Sequence, residues 1–407
     1  MATIRSFKAL RPLPELAEKI ASVPYDVVNT EEARELAEGN DLSFLHIVRP
    51  DIDLPYTLDT YSDAVYEKAA ENFKRLKESG SLVEEEDPSL YIYRLEMDGR
   101  EQLGIAGCCL VDEYDDNTIK KHEFTRKAKE DDRVRHMLTL RAHAGPVLLT
   151  YRRTESLALQ LRKESSGTPL FDFTAADGVR HTLWRCEHPE RIQDAFLDVP
   201  ALYIADGHHR AAGASRVKAE IIKQGAASSG AEEFNSFLTV IFPSDQLSIF
   251  AYNKYVRDLG GKTPRELIEA LEPDFYVSRA DGGNPEAKGI IHMYLEGSWY
   301  RLNIKDPRFD PADPVSALDL SHFEKRLLEP ILGIEDQRSS QRIDFEGGIG
   351  SPEKLAERVD REGGAAFTFY PVSVEELMQV SDAGMVMPPK STWFAPKLRS
   401  GLLIHEF

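Results

Sequence analysis

Tyr203-Ile204-Ala205-Asp206-Gly207-His208-His209-Arg210-Ala211-Ala212-Gly213-Ala214 decides how the middle of this chain is read. The apolar run at 202–205 predicts a strand, and Gly207 permits a tight turn. The alanine-rich residues behind it predict a helix running to about position 224. A helix N-terminus offers free N–H groups and the positive end of the helix dipole, both suited to phosphate. His208, His209 and Arg210 add cationic donors there, and an arginine can grip phosphate through two parallel hydrogen bonds. An alternative reading of the same spacing makes Asp206 a helix N-cap with solvated basic residues behind it. Spacing alone weighs the two equally.

Outward from this turn, the pattern is mixed. Short strands are expected at 3–10, 44–48, 89–97, 102–111, 146–151 and 237–242, with helices at 13–22, 30–38, 57–79, 125–144, 264–271 and 316–328. No regular strand–helix–strand series runs through them. The expected class is α+β, mixed sheets with packed helices, in three regions: 1–111, 112–252 around the phosphate turn, and 253–407.

The 407 residues carry a net charge of −19, which argues against broad contact with nucleic acid. Cys108 and Cys109 sit in apolar company and Cys186 stands apart, so no disulfide framework is visible and a reducing compartment is expected. With no apolar signal core at the start and no membrane-length apolar run, the expectation is a cytoplasmic protein without membrane partners.

A second candidate is Lys120-Lys121-His122-Glu123-Phe124-Thr125-Arg126, in a basic island of an acidic chain: between 119 and 136 stand seven Lys/Arg and four Asp/Glu. Glu123 could serve as a general base, although most of this run reads equally well as the charged face of the next helix. A third is Met387-Pro388-Pro389-Lys390-Ser391-Thr392. With Gly384 it nearly spells a P-loop, but Pro389 lacks the N–H that the phosphate cradle needs, so that motif is rejected. No zinc signature appears, and no residue is assigned as a metal ligand. Magnesium arriving with a nucleotide requires only one or two carboxylates.

At Asp206–Arg210 the chain resembles the bacterial and archaeal family called domain of unknown function 1015. Further matching blocks are Val23-Pro24-Tyr25-Asp26-Val27-Val28, Ser43 to Pro50, Lys121 to Thr125, Asp132-Arg133, Gly145-Pro146-Val147 and Met387 to Phe394. Its central part resembles the superfamily that joins the nucleotide-binding domain of ParB, sulfiredoxin and the free-serine kinases. That resemblance implies a central nucleotide-binding region. Asp206, Gly207, His208, His209 and Arg210 would hold phosphate, Glu123 would act as base, and His122 or His209 would stabilise charge. Asp26, Arg49 and Lys390 become substrate-anchor candidates by membership of the matching blocks.

Sulfiredoxin requires a cysteine inside the phosphate turn, where this chain has His208, and ParB proteins add basic DNA-binding surfaces that are not evident here. What remains is a kinase using ATP or ADP with Mg²⁺ to phosphorylate the hydroxyl of free L-serine or a similar metabolite. The alternative is a ParB-like nucleotide-dependent regulator that switches a partner. A metal-dependent hydrolase built on the histidines is favoured least. A homodimer is compatible with either of the first two, and the sequence does not fix the oligomeric state.

Overall fold

The computed structural model describes residues 1–307, 310 and 312–407. The chain divides into two compact units, Met1–Leu247 together with Pro396–Phe407, and Ser248–Ala395. The class is α+β, with sheets of mixed pairing and helices packed on them.

The first unit is organised by an eight-stranded sheet. Its strands, in chain order, are β1 (Tyr91–Met97), β2 (Arg100–Leu110), β3 (Ile119–Lys120), β4 (Val147–Tyr151), β5 (Phe171–Thr174), β6 (Arg180–Arg185), β7 (Leu202–Asp206) and β8 (Ser236–Pro243). In space they run β3-β7-β4-β8-β2-β1-β6-β5. Strands from both sides of residue 111 therefore share one sheet, because β2 pairs antiparallel with β8. The β1–β2 hairpin turns on Asp98 and Gly99, both at positive φ, the conformation that a two-residue hairpin loop matching strand twist requires. Every residue of β8 is buried, as befits a strand covered on both faces. Cys109 and Cys186 lie in the apolar core beneath this sheet with Ile105, Leu149, Ile204 and Phe237, and all three cysteines are free and buried.

Two parallel pairings carry the site. β7 pairs parallel with β3, and β8 pairs parallel with β4. The helices of this unit include α1 (Thr30–Ala37), α2 (Asp63–Glu78), α3 (Lys127–Leu140) and α4 (His208–Lys223). α1 starts in a capping box, with Asn29 accepting from the Glu31 and Glu32 amides and Glu32 accepting from the Asn29 amide. α4 puts Ala211 and Ala214 into the core and crosses α3 closely at Gly213, where a Cβ would come within 3.3 Å of the Arg133 Cβ.

A second, four-stranded sheet joins Ala9–Pro12 to Leu82–Glu84 and Ile404–Glu406, with Ala142–His143 on the far side of the last. Residues 396–407 thus return to the first unit through main-chain pairing.

Several expectations are corrected. The apolar run at 44–48 is a helical turn, Leu45–Val48, with the Val48 amide bonded to the Phe44 carbonyl at 3.0 Å. A short, continuously apolar run has no period to tell helix from strand. The strand expected at 3–10 lies at Ala9–Pro12, with single bridges at Arg5 and Phe7 before it. The helix expected at 125–144 stops at Leu140, where Arg141 takes a left-handed conformation and Ala142–His143 enters the small sheet. The segment expected as one helix at 316–328 is an α-turn, Asp319–Phe323, running into a π-helix, Glu324–Leu328.

The second unit carries a six-stranded sheet of β9 (Tyr252–Val256), β10 (Phe275–Arg279), β11 (Ile290–Leu295), β12 (Ser298–Ile304), β13 (Ile343–Gly347) and β14 (Ala365–Phe369), ordered β10-β12-β11-β14-β9-β13 and antiparallel throughout. Helix α5 (Ser351–Glu362) covers it, packing Leu355 and Val359 against Tyr255, Tyr294 and Ala366. No helix among the described residues is long and apolar enough to cross a membrane.

Candidate phosphate site at the carboxyl ends of two parallel strands

Parallel pairing of β3 with β7 places the residues that follow both strands at one edge of the sheet. After β3 come Lys121, His122 and Glu123, and after β7 come Gly207 and His208. Open sheets bind ligands at the carboxyl ends of their parallel strands because loops and helix N-termini converge there. The two candidate runs, more than 80 residues apart in sequence, are brought into contact. Glu123 Oε2 stands 4.0 Å from His208 Nδ1. The His122 and His208 rings meet edge to face with centroids 4.4 Å apart. The main-chain N–H of Arg126 donates to His209 Nε2 at 3.1 Å, which ties the loop after β3 to the first turn of α4.

The turn itself is dictated by Gly207. Its φ is +100°, and an added Cβ would stand 3.0 Å from Arg210 Cζ and Nε. Gly207 is also the N-cap of α4, and no side chain caps that end. Asp206 is therefore not the cap that the alternative reading of the sequence required. Its carboxylate pairs with Lys397 Nζ at 3.1 Å and lies 3.8 Å from Arg210 Nη2. The substitution Gly207→Ala should cost about 1–3 kcal/mol, the usual penalty for holding a side chain in such backbone. It should also displace Arg210, and a lowered melting temperature in a thermal scan is the expected result.

Arg210 points inward. Its side chain is 7% exposed, Nη1 donates to the Pro146 carbonyl, and Nη2 lies 4.0 Å from Asp26 Oδ2. The guanidinium borders a cavity of about 20 Å³, lined also by Tyr25, Arg133, His136, Gly145 and Ser400. Arg133 lies over the Tyr25 ring at 3.7 Å and is held by Asp132, whose other oxygen accepts from Tyr66 on α2 at 2.9 Å. Burial pushes the Tyr25 phenol well above its ordinary range.

Burial also holds both facing histidines neutral. The pKa of His122 is lowered to about 3, first by desolvation and then by His208, and that of His208 is lowered to about 3 by desolvation. At neutral pH these rings act as hydrogen-bonding groups and lone-pair donors, and His208 is not the cationic donor that the sequence suggested.

The three expected substrate anchors fare differently. Asp26 faces Arg210, as above. Arg49 spends its whole N–H set inside the protein: on the Tyr25 and Val28 carbonyls, on Thr30 Oγ1 and on both oxygens of Asp51. It cannot hold a substrate carboxylate without giving up these bonds, and its place is to shape the loop that carries Asp26. Lys390 belongs to the second unit, at φ +54°, with its ammonium 5.1 Å from the Tyr252 ring centre. Sequence reasoning missed Lys397, which no motif marks. It also missed Tyr25 and Arg133 as site residues, although both lie in blocks that carried the family resemblance. No metal ligand was assigned from sequence, yet His122, Glu123 and His208 offer ligand atoms all within 4.8 Å of one another.

The fold is thus α+β, with a glycine-cornered strand–turn–helix at the end of paired parallel strands. Residues 4–321 match the family described as "Protein of unknown function (DUF1015)", and the chain belongs to that family. No curated protein matches it. Similar solved structures include a free serine kinase in complex with AMP, at 14% identity and TM-score 0.36, covering 73% of this chain and 92% of that one. A conserved hypothetical protein from Pyrococcus furiosus matches at 15% and 0.34, covering 73% and 95%. SbnI with C-terminal truncation from Staphylococcus aureus matches at 13% and 0.39, covering 74% and 87%.

Proposed function

We propose that this protein is a nucleotide-dependent phosphotransferase that phosphorylates the hydroxyl of a small metabolite, free L-serine or a close relative. The observation that carries the reading is the parallel β3–β7 pairing, which sets the Glu123 carboxylate 4.0 Å from the first residue of the uncapped helix α4. A phosphate at that helix end would meet main-chain N–H groups and the helix dipole, with an acid–base group beside it.

In this reading the terminal phosphates of ATP or ADP lie over Gly207, His208 and His209. The acceptor hydroxyl approaches from the Glu123 side. As its oxygen bonds to phosphorus, its proton passes to Glu123 and the bond to the nucleotide's bridging oxygen breaks. Neutral His122 and His208 orient these groups without adding charge. Asp26 is a candidate partner for the ammonium of an amino-acid acceptor. Asp206, at the glycine corner, would supply the one carboxylate that a nucleotide-borne Mg²⁺ requires, and the ion would neutralise phosphate charge.

The test is to incubate purified protein with Mg²⁺, ATP or ADP, and L-serine, and to seek O-phosphoserine by mass spectrometry. Its formation supports the reading. Nucleotide binding by calorimetry without transfer to serine or other hydroxy metabolites would replace it with a nucleotide-driven switch that acts on a partner. No nucleotide binding at all would remove the phosphate assignment.

A further inference from the structure

His122 and Glu123 follow β3 and His208 follows β7, and the parallel pairing of these strands brings three candidate ligands together on a rigid frame. The His122 ring is 2% exposed, and its Nδ1 has no hydrogen-bond partner among the described residues. A buried polar atom left without a partner is destabilising, so its presence calls for an explanation. That unpaired nitrogen is enclosed by the protein and has no group of the chain to take its lone pair or its proton. A buried ring nitrogen without a protein partner is the kind of group that a bound ion satisfies.

We infer that His122, Glu123 and His208 form a binding site for one divalent transition-metal ion of the manganese-to-zinc series. The inference stands on these side chains and does not depend on phosphoryl transfer. Two imidazole nitrogens with one carboxylate suit ions of this series, whereas magnesium and calcium prefer all-oxygen sets. Ligands at about 2.1 Å from a shared tetrahedral ion stand roughly 3.4 Å apart, so the trio must draw in by an ångström or so. Glu123, with a third of its side chain exposed, has the room to move. His208 Nε2 receives only a 3.5 Å contact from the His122 amide, at the limit of a hydrogen bond, so neither tautomer of that ring is locked. Three protein ligands leave a coordination position open toward the N-terminus of α4, where a water or a phosphate oxygen could complete the set. An ion on one Glu123 oxygen leaves the other to accept a proton.

The test uses untagged, chelator-treated protein titrated with Co²⁺ alone, without nucleotide or acceptor. The expected result is one Co²⁺ per chain with d–d absorption in the visible, displaced by Zn²⁺ and retained in millimolar Mg²⁺. His122→Ala and Glu123→Ala should each weaken binding at least ~10-fold, the loss that even outer partners of a metal ligand cause. Glu123 is exposed enough that its variant should fold even if the buried His122 variant does not. No Co²⁺ binding by the unmodified chain, displacement by Mg²⁺, or undiminished binding by Glu123→Ala would overturn the site. Because no transfer reaction enters the measurement, its failure is separate from failure of the phosphotransferase reading.

Discussion

Replacing Glu123 with glutamine should reduce phosphate transfer by ~10²–10⁴-fold, the range that a positioned general base supplies, while leaving nucleotide binding in place. The change is nearly isosteric, and Glu123 sits at the rim of the site, so the fold should be indifferent to it. What is lost is the anionic oxygen 4.0 Å from His208, and with it the acceptor for the hydroxyl proton. The loss belongs in kcat, since a missing base acts on the chemical step and not on nucleotide affinity. Steady-state kinetics beside calorimetry separate the two. Full turnover in the glutamine variant would exclude Glu123 as the base, whatever the acceptor.

The second large effect concerns stability. Arg49→Ala should destabilise the first unit by roughly 3 kcal/mol, because bonds from a charged donor to partly buried acceptors contribute about 1.5–3 kcal/mol each and neighbouring losses overlap. For a unit of this size that lowers the melting temperature by on the order of 6–12 °C. The arginine is the hub on which the Tyr25 and Val28 carbonyls, Thr30 and Asp51 converge, and its removal leaves all of them searching for water. Arg49→Lys should recover only part of the loss, since a three-donor ammonium cannot span a five-donor fork. Were Arg49 instead a substrate anchor, the lysine variant would melt normally and show a raised KM. Scanning calorimetry and a KM measurement distinguish the outcomes.

How much of this was legible in the chain follows from distance along it. The strand–glycine–helix of 202–223 is local, and it stands where the spacing put it. The role of Asp206 was ambiguous because its partner, Lys397, lies 191 positions away in a segment without any motif. The place of Glu123 beside the turn was beyond periodicity, since β3 is two residues long and carries no pattern; only family resemblance pointed there. The internal bonds of Arg49 were illegible for a related reason: a matching block marks a residue as important without saying whether it serves a ligand or its own loop. The neutral state of His122 and His208 is a property of burial, which residue type alone does not convey.

Lys397 reaches Asp206 from a stretch that is made only after Ser248–Ala395 has been built, and Ile404–Glu406 then threads in beside Ala9–Pro12. During translation the glycine corner, both histidines and Glu123 have already left the ribosome while Asp206 still lacks Lys397 and the small sheet lacks a middle strand. The first unit is finished by sequence that follows the whole of the second. Its completion thus waits on residues 396–407, and a chain lacking them would carry every candidate phosphate-binding residue in a frame left open at one seam.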